Sequence, residues 1–507
     1  MITRVHSAAY LGIQSYPVEI EVDVQAGLPQ FTVVGLPDTS IRESRERVRS
    51  AIKNSGFRFP PERITVNLAP AHIRKEGPAF ELPIALGILA ATEVISAEKL
   101  REFVFLGELA LDGTLRPFKG AMAIAEGLQN QLPAIFPEAN AREAAFYEKA
   151  TLYAANNLKE VIDFLRGDIR LSRTMPLRQS TPDLKKHHPI ANLSDIKGQR
   201  FAKRALEIAA SGGHNLLFIG SPGSGKTMLA RRLPDILPPL PFDQALEVTK
   251  LYSVAGLSRN RTGITQDRPF RSPHHSISSV AMAGGGTWPL PGEISLAHAG
   301  VLFLDEFPEF RRDVVETLRA PLEEGSITIC RAKGNLTYPC RLMLIAAMNP
   351  CPCGYLTDRR KPCRCSSVQI QKYQAKISGP ILDRIDLHVE VPALTYGSLA
   401  SEEPAESSEV VRQRVEACRH IQTARYPDRQ FKVNAFMQPR EIKKYAMPDS
   451  EGSKLIEMAM KELNLSARGY YKILKVARTI ADMTEEENIS SEHISEAIGY
   501  RTLDRQW

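Results

Sequence analysis

The 507 residues predict an α/β protein in three parts: a mixed α+β first domain, a central domain built on a parallel sheet, and a helical last domain. Three observations carry this expectation. Short apolar strands alternate with helical stretches over residues 190–395, the pattern of a parallel sheet whose strands are buried on both faces. Helical periodicity without strands runs through residues 396–507. Residues 1–167 mix alternating, strand-like runs with helical ones.

In the first part, residues 18–24 and 30–34 alternate apolar and polar as strands do, and residues 42–55 have helical spacing. Residues 63–68 read as a strand, 82–91 as a buried helix, and 103–106 as a strand followed by a turn at Asp112-Gly113. Residues 168–189 are polar and basic, carry Pro176 and Pro182 and lack periodicity, so a linker is expected there. The central part offers strands at 215–219, 301–304 and 342–346. After a polar patch at 398–409 come helices at 410–424, 439–444, 451–463, 467–483 and 491–500.

Composition bounds the function classes. Hydrophobic residues make up 43% and charged residues 24%, the balance of a folded, water-soluble chain. No stretch is apolar for the ~20 residues a membrane helix needs, and the N-terminus alternates rather than forming a signal peptide. A cytoplasmic protein without membrane partners is expected. The net charge of +7 is compatible with nucleic acid without demonstrating it. Seven cysteines is an odd count, and four of them crowd into residues 351–365, which argues against a disulfide framework.

The sharpest motif is Gly220-Ser221-Pro222-Gly223-Ser224-Gly225-Lys226-Thr227. It fits the phosphate-loop pattern without a mismatch, and it follows a strand and opens a helix. Glycines let backbone N–H groups turn inward around phosphates, and the helix N-terminus favours negative charge. Lys226 is expected to reach the β- and γ-phosphates of ATP, and the Thr227 hydroxyl to ligate Mg²⁺. Residues 301–306 form an apolar strand ending in Asp305, expected in the Mg²⁺ shell, and Glu306, expected to deprotonate the attacking water. Asn349 ends another apolar strand, where it either meets the γ-phosphate and lytic water or only shapes an Asn-Pro turn. Arg384 is a candidate arginine finger reaching a neighbouring subunit's γ-phosphate; the alternative is an ion pair with Asp383 or Asp386 on a solvated face.

Cys351, Cys353, Cys363 and Cys365 supply four soft ligands, and a tetrahedral Zn²⁺ site is expected, against the alternative of four reduced thiols in a loop. Arg359, Arg360, Lys361 and Arg364 lie among them, so a zinc knuckle there presents a basic face to DNA.

These residues resemble the AAA+ superfamily. The intervening segments narrow the resemblance to the magnesium-chelatase-like ComM/YifB family: Arg268-Pro269-Phe270-Arg271-Ser272-Pro273-His274-His275, Gly284-Gly285-Gly286, Pro291-Gly292-Glu293-Ile294-Ser295-Leu296-Ala297-His298, Leu304-Asp305-Glu306-Phe307-Pro308-Glu309-Phe310, Asn349-Pro350-Cys351-Pro352-Cys353-Gly354, and Leu465-Ser466-Ala467-Arg468 with residues 474–482. The resemblance covers nearly the whole chain. It implies the helix-2-insert branch of AAA+ proteins and a homo-hexameric ring that drives DNA branch migration during natural transformation, with recombination proteins as partners. It also implies that Arg468, in a helical lid, senses the γ-phosphate.

On the same ground, residues 262–291 are expected to be the insert that projects toward the ring pore, with Arg271, His274, His275 and Trp288 as DNA contacts. The alternative is a structural loop with a packed Trp. Residues 326–338 read as a β-hairpin tipped by Arg331 and Lys333, either entering the pore or lying on the surface. The first domain resembles the Lon-type protease (ribosomal S5 domain 2-like) fold, but residues 77–81 hold no Ser, so no peptidase activity is expected. A second reading of the same core is a chelatase-type motor subunit that remodels a partner protein for metal insertion into a tetrapyrrole.

Overall fold

The computed structural model describes residues 2–71, 73, 75, 77–176, 192–258, 263–286, 289–331, 334–358, 360–394, 405–427, 431–463 and 465–501. They form two compact units: Met1–Lys185 together with Ala245–Thr265, and Lys186–Gln244 together with Gln266–Trp507. From residue 177 on, the expected linker lies outside the described residues, as do Trp288, Lys333 and Arg359.

The first unit rests on a seven-stranded mixed sheet. Its strands are β1 (Ile2–Leu11), β2 (Gln14–Gln25), β3 (Gln30–Val34), β4 (Arg63–Ala69), β5 (Val104–Phe105), β6 (Ala134–Pro137) and β7 (Leu152–Ala155), in the order β3-β4-β2-β1-β5-β6-β7. Alternation in β2 puts Val18, Ile20 and Val22 inside and leaves Glu19 and Glu21 half-buried. The helix Thr39–Asn54 starts at Asp38, whose carboxylate accepts from the Ile41 N–H at 2.8 Å. The helix Glu81–Ala91 is apolar nearly all round, so it lies buried against β1 and β2. Gly87 allows that approach, since a Cβ there would stand 2.5 Å from Val22 Cγ2.

Where the resemblance sets the missing nucleophile, Gly77 has φ +85° and residues Pro78–Phe80 make one 3₁₀ turn. Glu81 follows, 1% exposed, paired with Arg47 at 2.6 Å and accepting from the Leu109 N–H at 2.8 Å. The polar groups of this corner thus join helix to strand.

Residues Ala245–Thr265, expected inside the ATPase core, group with this first unit. The helix Phe242–Ala255 brings Leu246 onto the apolar cluster around Met122 and Phe136. Lys250 pairs with Glu126 at 2.8 Å, and the Gly120 N–H donates to the Ser253 carbonyl at 3.3 Å.

The second unit is built on a five-stranded parallel sheet: β8 (Leu216–Ile219), β9 (Phe270–Arg271), β10 (Val301–Leu304), β11 (Met343–Met348) and β12 (Leu387–Glu390), in the order β9-β10-β11-β8-β12. β9 corrects the expected insert. Phe270 and Arg271 pair with Val301 and Leu302 as an edge strand, and two residues are too short to show a period in sequence. Past them, a short helix (Ser279–Ala283) and a ribbon (Gly284–Gly285 with Leu290–Pro291) lead to the helix Glu293–Leu296.

The expected hairpin pairs Ser326–Arg331 with Gly334–Pro339. It packs on the insert ribbon: the Tyr338 hydroxyl donates to the Pro289 carbonyl at 2.6 Å, and Ile329 Cδ1 would stand 2.8 Å from a Cβ on Gly284.

The C-terminal helices Ser408–Arg425, Pro439–Tyr445, Ser450–Leu463, Ala467–Met483 and Ser491–Gly499 lie within two residues of the expected bounds. They share one apolar core with the sheet, in which Phe218, Ile345 and Val389 belong with Val415, Ile473 and Ile480. A buried carboxylate pins the cluster. Asp482 takes Arg425, Arg478 at 3.0 Å and the Asn434 side-chain amide at 2.8 Å.

Candidate nucleotide site

β8 lies between β11 and β12, so the strand order reverses there and a crevice opens at the carboxyl ends of the strands. The loop Gly220–Gly225 sits in that crevice and leads into the helix Lys226–Arg231. Gly223 and Gly225 have φ of +76° and +94°, a region in which only glycine is at ease. A Cβ on Gly220 would stand 2.2 Å from the Val391 carbonyl oxygen.

Lys226 is 8% exposed. Its ammonium donates to the Gly220 and Ser221 carbonyls at 2.6 and 3.0 Å and to Asn349 Oδ1 at 3.2 Å. Burial lowers its pKa to about 8, against the opposing pull of Asp305. The Thr227 hydroxyl donates to Asp305 Oδ2 at 2.7 Å, which brings together the two groups expected to hold Mg²⁺. Glu306 has a left-handed backbone (φ +52°), and its side chain is 61% exposed toward solvent. The register Leu304↔Ala346 and Ile219↔Met348 brings Asp305, Glu306 and Asn349 to one edge of the sheet beside the loop.

Three contacts of this crevice were not announced by the motifs. Gln199 Nε2 donates to the Ser224 carbonyl at 3.1 Å and the Pro392 carbonyl at 2.7 Å, bracing the loop from behind. Asp358 accepts a hydrogen bond from the Ser221 side chain. His275 Nδ1 lies 3.3 Å from Glu306 Oε2. His275 carries no local signal for this partnership, because the contact joins residues far apart in sequence.

Arg384 and Arg468 are elsewhere. Asn215, just before β8, donates its side-chain amide to the Arg384 carbonyl at 2.9 Å, so Arg384 sits at the amino ends of the strands, opposite the loop. Its guanidinium pairs with Glu323 at 2.7 Å and donates to the Arg319 and Pro380 carbonyls at 3.1 and 2.6 Å. Arg468 pairs with the other oxygen of Glu323 at 3.0 Å. The two arginines therefore share one carboxylate. The expected alternative pair for Arg384 is taken up otherwise, since Asp386 binds Lys472 and the Asn215 N–H.

Of the expected DNA contacts, Arg271 makes a two-pronged pair with Glu293, both contacts at 2.6 Å. The His274 and His275 rings lie 4.1 Å apart. Arg331 closes the hairpin opposite Gly334.

The four cysteine sulfurs lie within 4.8 Å of one another. Cys351, Cys353 and Cys363 are mutually 3.4, 3.7 and 3.6 Å apart. Four thiolates ~2.3 Å from a tetrahedral metal stand ~3.8 Å apart, so the set fits Zn²⁺. Backbone N–H groups of Arg364 and Tyr355 hold the Cys353 thiol below its usual range, and burial pushes Cys351 up.

A parallel sheet in this order, with a lysine loop at the switch point and paired carboxylates at the tip of β10, defines an AAA+-type nucleotide-binding protein. Residues 192–399 match the family described as magnesium chelatase, subunit ChlI. Residues 20–140 match subunit ChlI of Mg-chelatase, and 405–501 its C-terminal region. Over the full length, the chain is 46% identical to the uncharacterized protein YifB of Salmonella typhimurium, covering 99% of this chain and 97% of that one. It is 45% identical to the competence protein ComM of Haemophilus influenzae, with the same coverage. A probable DNA helicase MCM9 of Arabidopsis thaliana is 27% identical over 35% of this chain and 22% of its own. The chain belongs to the ComM/YifB family of magnesium-chelatase-like proteins.

Proposed function

We propose that this chain is an ATP-hydrolysing motor that works as a homo-hexameric ring and moves branched DNA during the integration of incoming strands. The likeness to a competence protein supports the DNA part of this reading, and a separation supports the ring. Lys226, Thr227, Asp305, Glu306 and Asn349 lie at one end of the sheet, and Arg384 with Arg468 at the other. A site built that way is completed when the next subunit's amino-edge face meets the crevice.

Lys226 then leaves the two loop carbonyls for the β- and γ-phosphates, and Thr227 with Asp305 would hold Mg²⁺. Bound Mg²⁺ neutralises charge on the phosphate oxygens. Glu306 takes the proton of the attacking water, Asn349 orients it, and Arg384 of the neighbour meets the charge that develops. His275, 3.3 Å from Glu306, would link the segment proposed to meet DNA to the proposed base. The cysteine cluster would hold Zn²⁺.

The test is a four-way DNA junction incubated with the protein and ATP. Wild type should convert it to duplex products, while Glu306→Gln should bind nucleotide and convert nothing. No junction movement under any nucleotide condition would sink the proposal. A chelatase-type motor that remodels a protein partner is the second reading, favoured by the descriptions of the three matched families; it predicts hydrolysis unaffected by junction DNA.

A further inference from the structure

The segment between Met348 and Ser367 has no helix or strand among its described residues, yet it is fastened to the phosphate loop at three points. Asn349 accepts from Lys226 at 3.2 Å. Gly354, at φ +83°, lies so close to Pro222 that a Cβ would stand 2.5 Å from its ring. Asp358, whose side chain is 1% exposed, accepts from Ser221 and pairs with Arg360 at 2.9 Å. Arg360 in turn donates to the Leu394 carbonyl at 3.2 Å, past the end of β12.

So long an irregular segment costs chain entropy to hold in one shape, and few apolar side chains are available to offset it. The four sulfurs meet at its centre. Cys351 follows Asn349 by two residues, and Cys353 adjoins Gly354. A cross-link at those sulfurs fixes the three contacts at once.

We infer that the Cys351, Cys353, Cys363 and Cys365 site holds one Zn²⁺ whose role is to form a wall of the nucleotide pocket, so that metal binding and nucleotide binding strengthen each other. The coupling is reciprocal: whatever zinc adds to nucleotide affinity, nucleotide adds to zinc affinity. The inference rests on the phosphate loop being a nucleotide site, and it is independent of DNA.

The experiment uses the full chain purified under reducing conditions, with metal content measured by emission spectroscopy and affinity by titration of a fluorescent ATP analogue. Wild type should carry one Zn²⁺ per chain. Stripping the metal with a chelator should weaken nucleotide binding about tenfold, within the usual range of such couplings, and added Zn²⁺ should restore it. Cys363→Ser/Cys365→Ser should lose both the metal and the affinity with its far-UV circular dichroism intact. Cys365→His, which keeps a ligand set zinc accepts, should keep both.

The inference is overturned if neither purified nor zinc-titrated protein binds the metal, or if the loaded and stripped chains bind the analogue equally. Failure of the zinc-loaded wild type to bind any nucleotide would instead overturn the nucleotide reading, and this inference with it.

Discussion

Lys226 shows how one residue reports on its surroundings. An ammonium with a pKa of about 8 is charged at neutral pH and loses its proton as pH rises through that value. Phosphates bind the charged form, so ATP affinity should be flat below neutrality. Above pH 8 it should fall by up to about tenfold per unit, the limit for one coupled proton. Calorimetric titration in two buffers of different ionisation enthalpy should find proton uptake near pH 8. A pH-independent affinity with no uptake up to pH 9.5 would mean that Lys226 keeps its proton through that range or does not face the phosphates. The lysine itself was legible from eight contiguous residues. Its capture by Gly220, Ser221 and Asn349 was not, because Asn349 is distant in sequence and carbonyl partners leave no mark in a side-chain pattern.

Among the elements, the short helix that holds Glu323 matters more than its sequence suggests. The helix Arg319–Glu324 brings Glu323 between Arg384 and Arg468, which come from a loop and from the lid. Glu323 is one acid among 58 Asp and Glu residues and gives no local signal. If both arginines serve a neighbour, Arg384→Ala should keep nucleotide binding and lose hydrolysis by roughly 10³-fold, the low end for an arginine finger. Mixing Arg384→Ala chains with Lys226→Ala chains should recover part of the hydrolysis, since one interface then pairs an intact loop with an intact arginine. Steady-state phosphate release measures this. Mixtures as inactive as their parts would argue that Arg384 does not complete a neighbouring site.

At the scale of the whole molecule, the chain leaves one unit, enters the other, and returns. Residues Ala245–Thr265 belong with the first unit through Leu246, Lys250 and Ser253. A chain truncated to begin at residue 192 would carry that helix without its partner face, exposing apolar surface. It should aggregate at concentrations where the full chain is monodisperse, and Leu246→Glu in the truncated form should restore part of the solubility. Light scattering decides this, and a truncated chain as soluble as the full one would refute it.

The parts legible from sequence are those whose cause is local. The phosphate loop needs glycines at fixed offsets from a lysine. β10 and β11 need only unbroken apolar runs, and the C-terminal helices need only their period. The parts set by folding are those that sum weak contacts across the chain. The order β9-β10-β11-β8-β12 brings the loop, Asp305 and Asn349 to one end of the sheet and leaves Arg384 at the other. The seating of the cysteine segment on Pro222 depends on a close approach that Gly354 permits, and the motif that holds Gly354 does not name Pro222 as its partner. A residue's chemistry is written where it stands, whereas its partners depend on which strands pair, and strand pairing is a property of the assembled core.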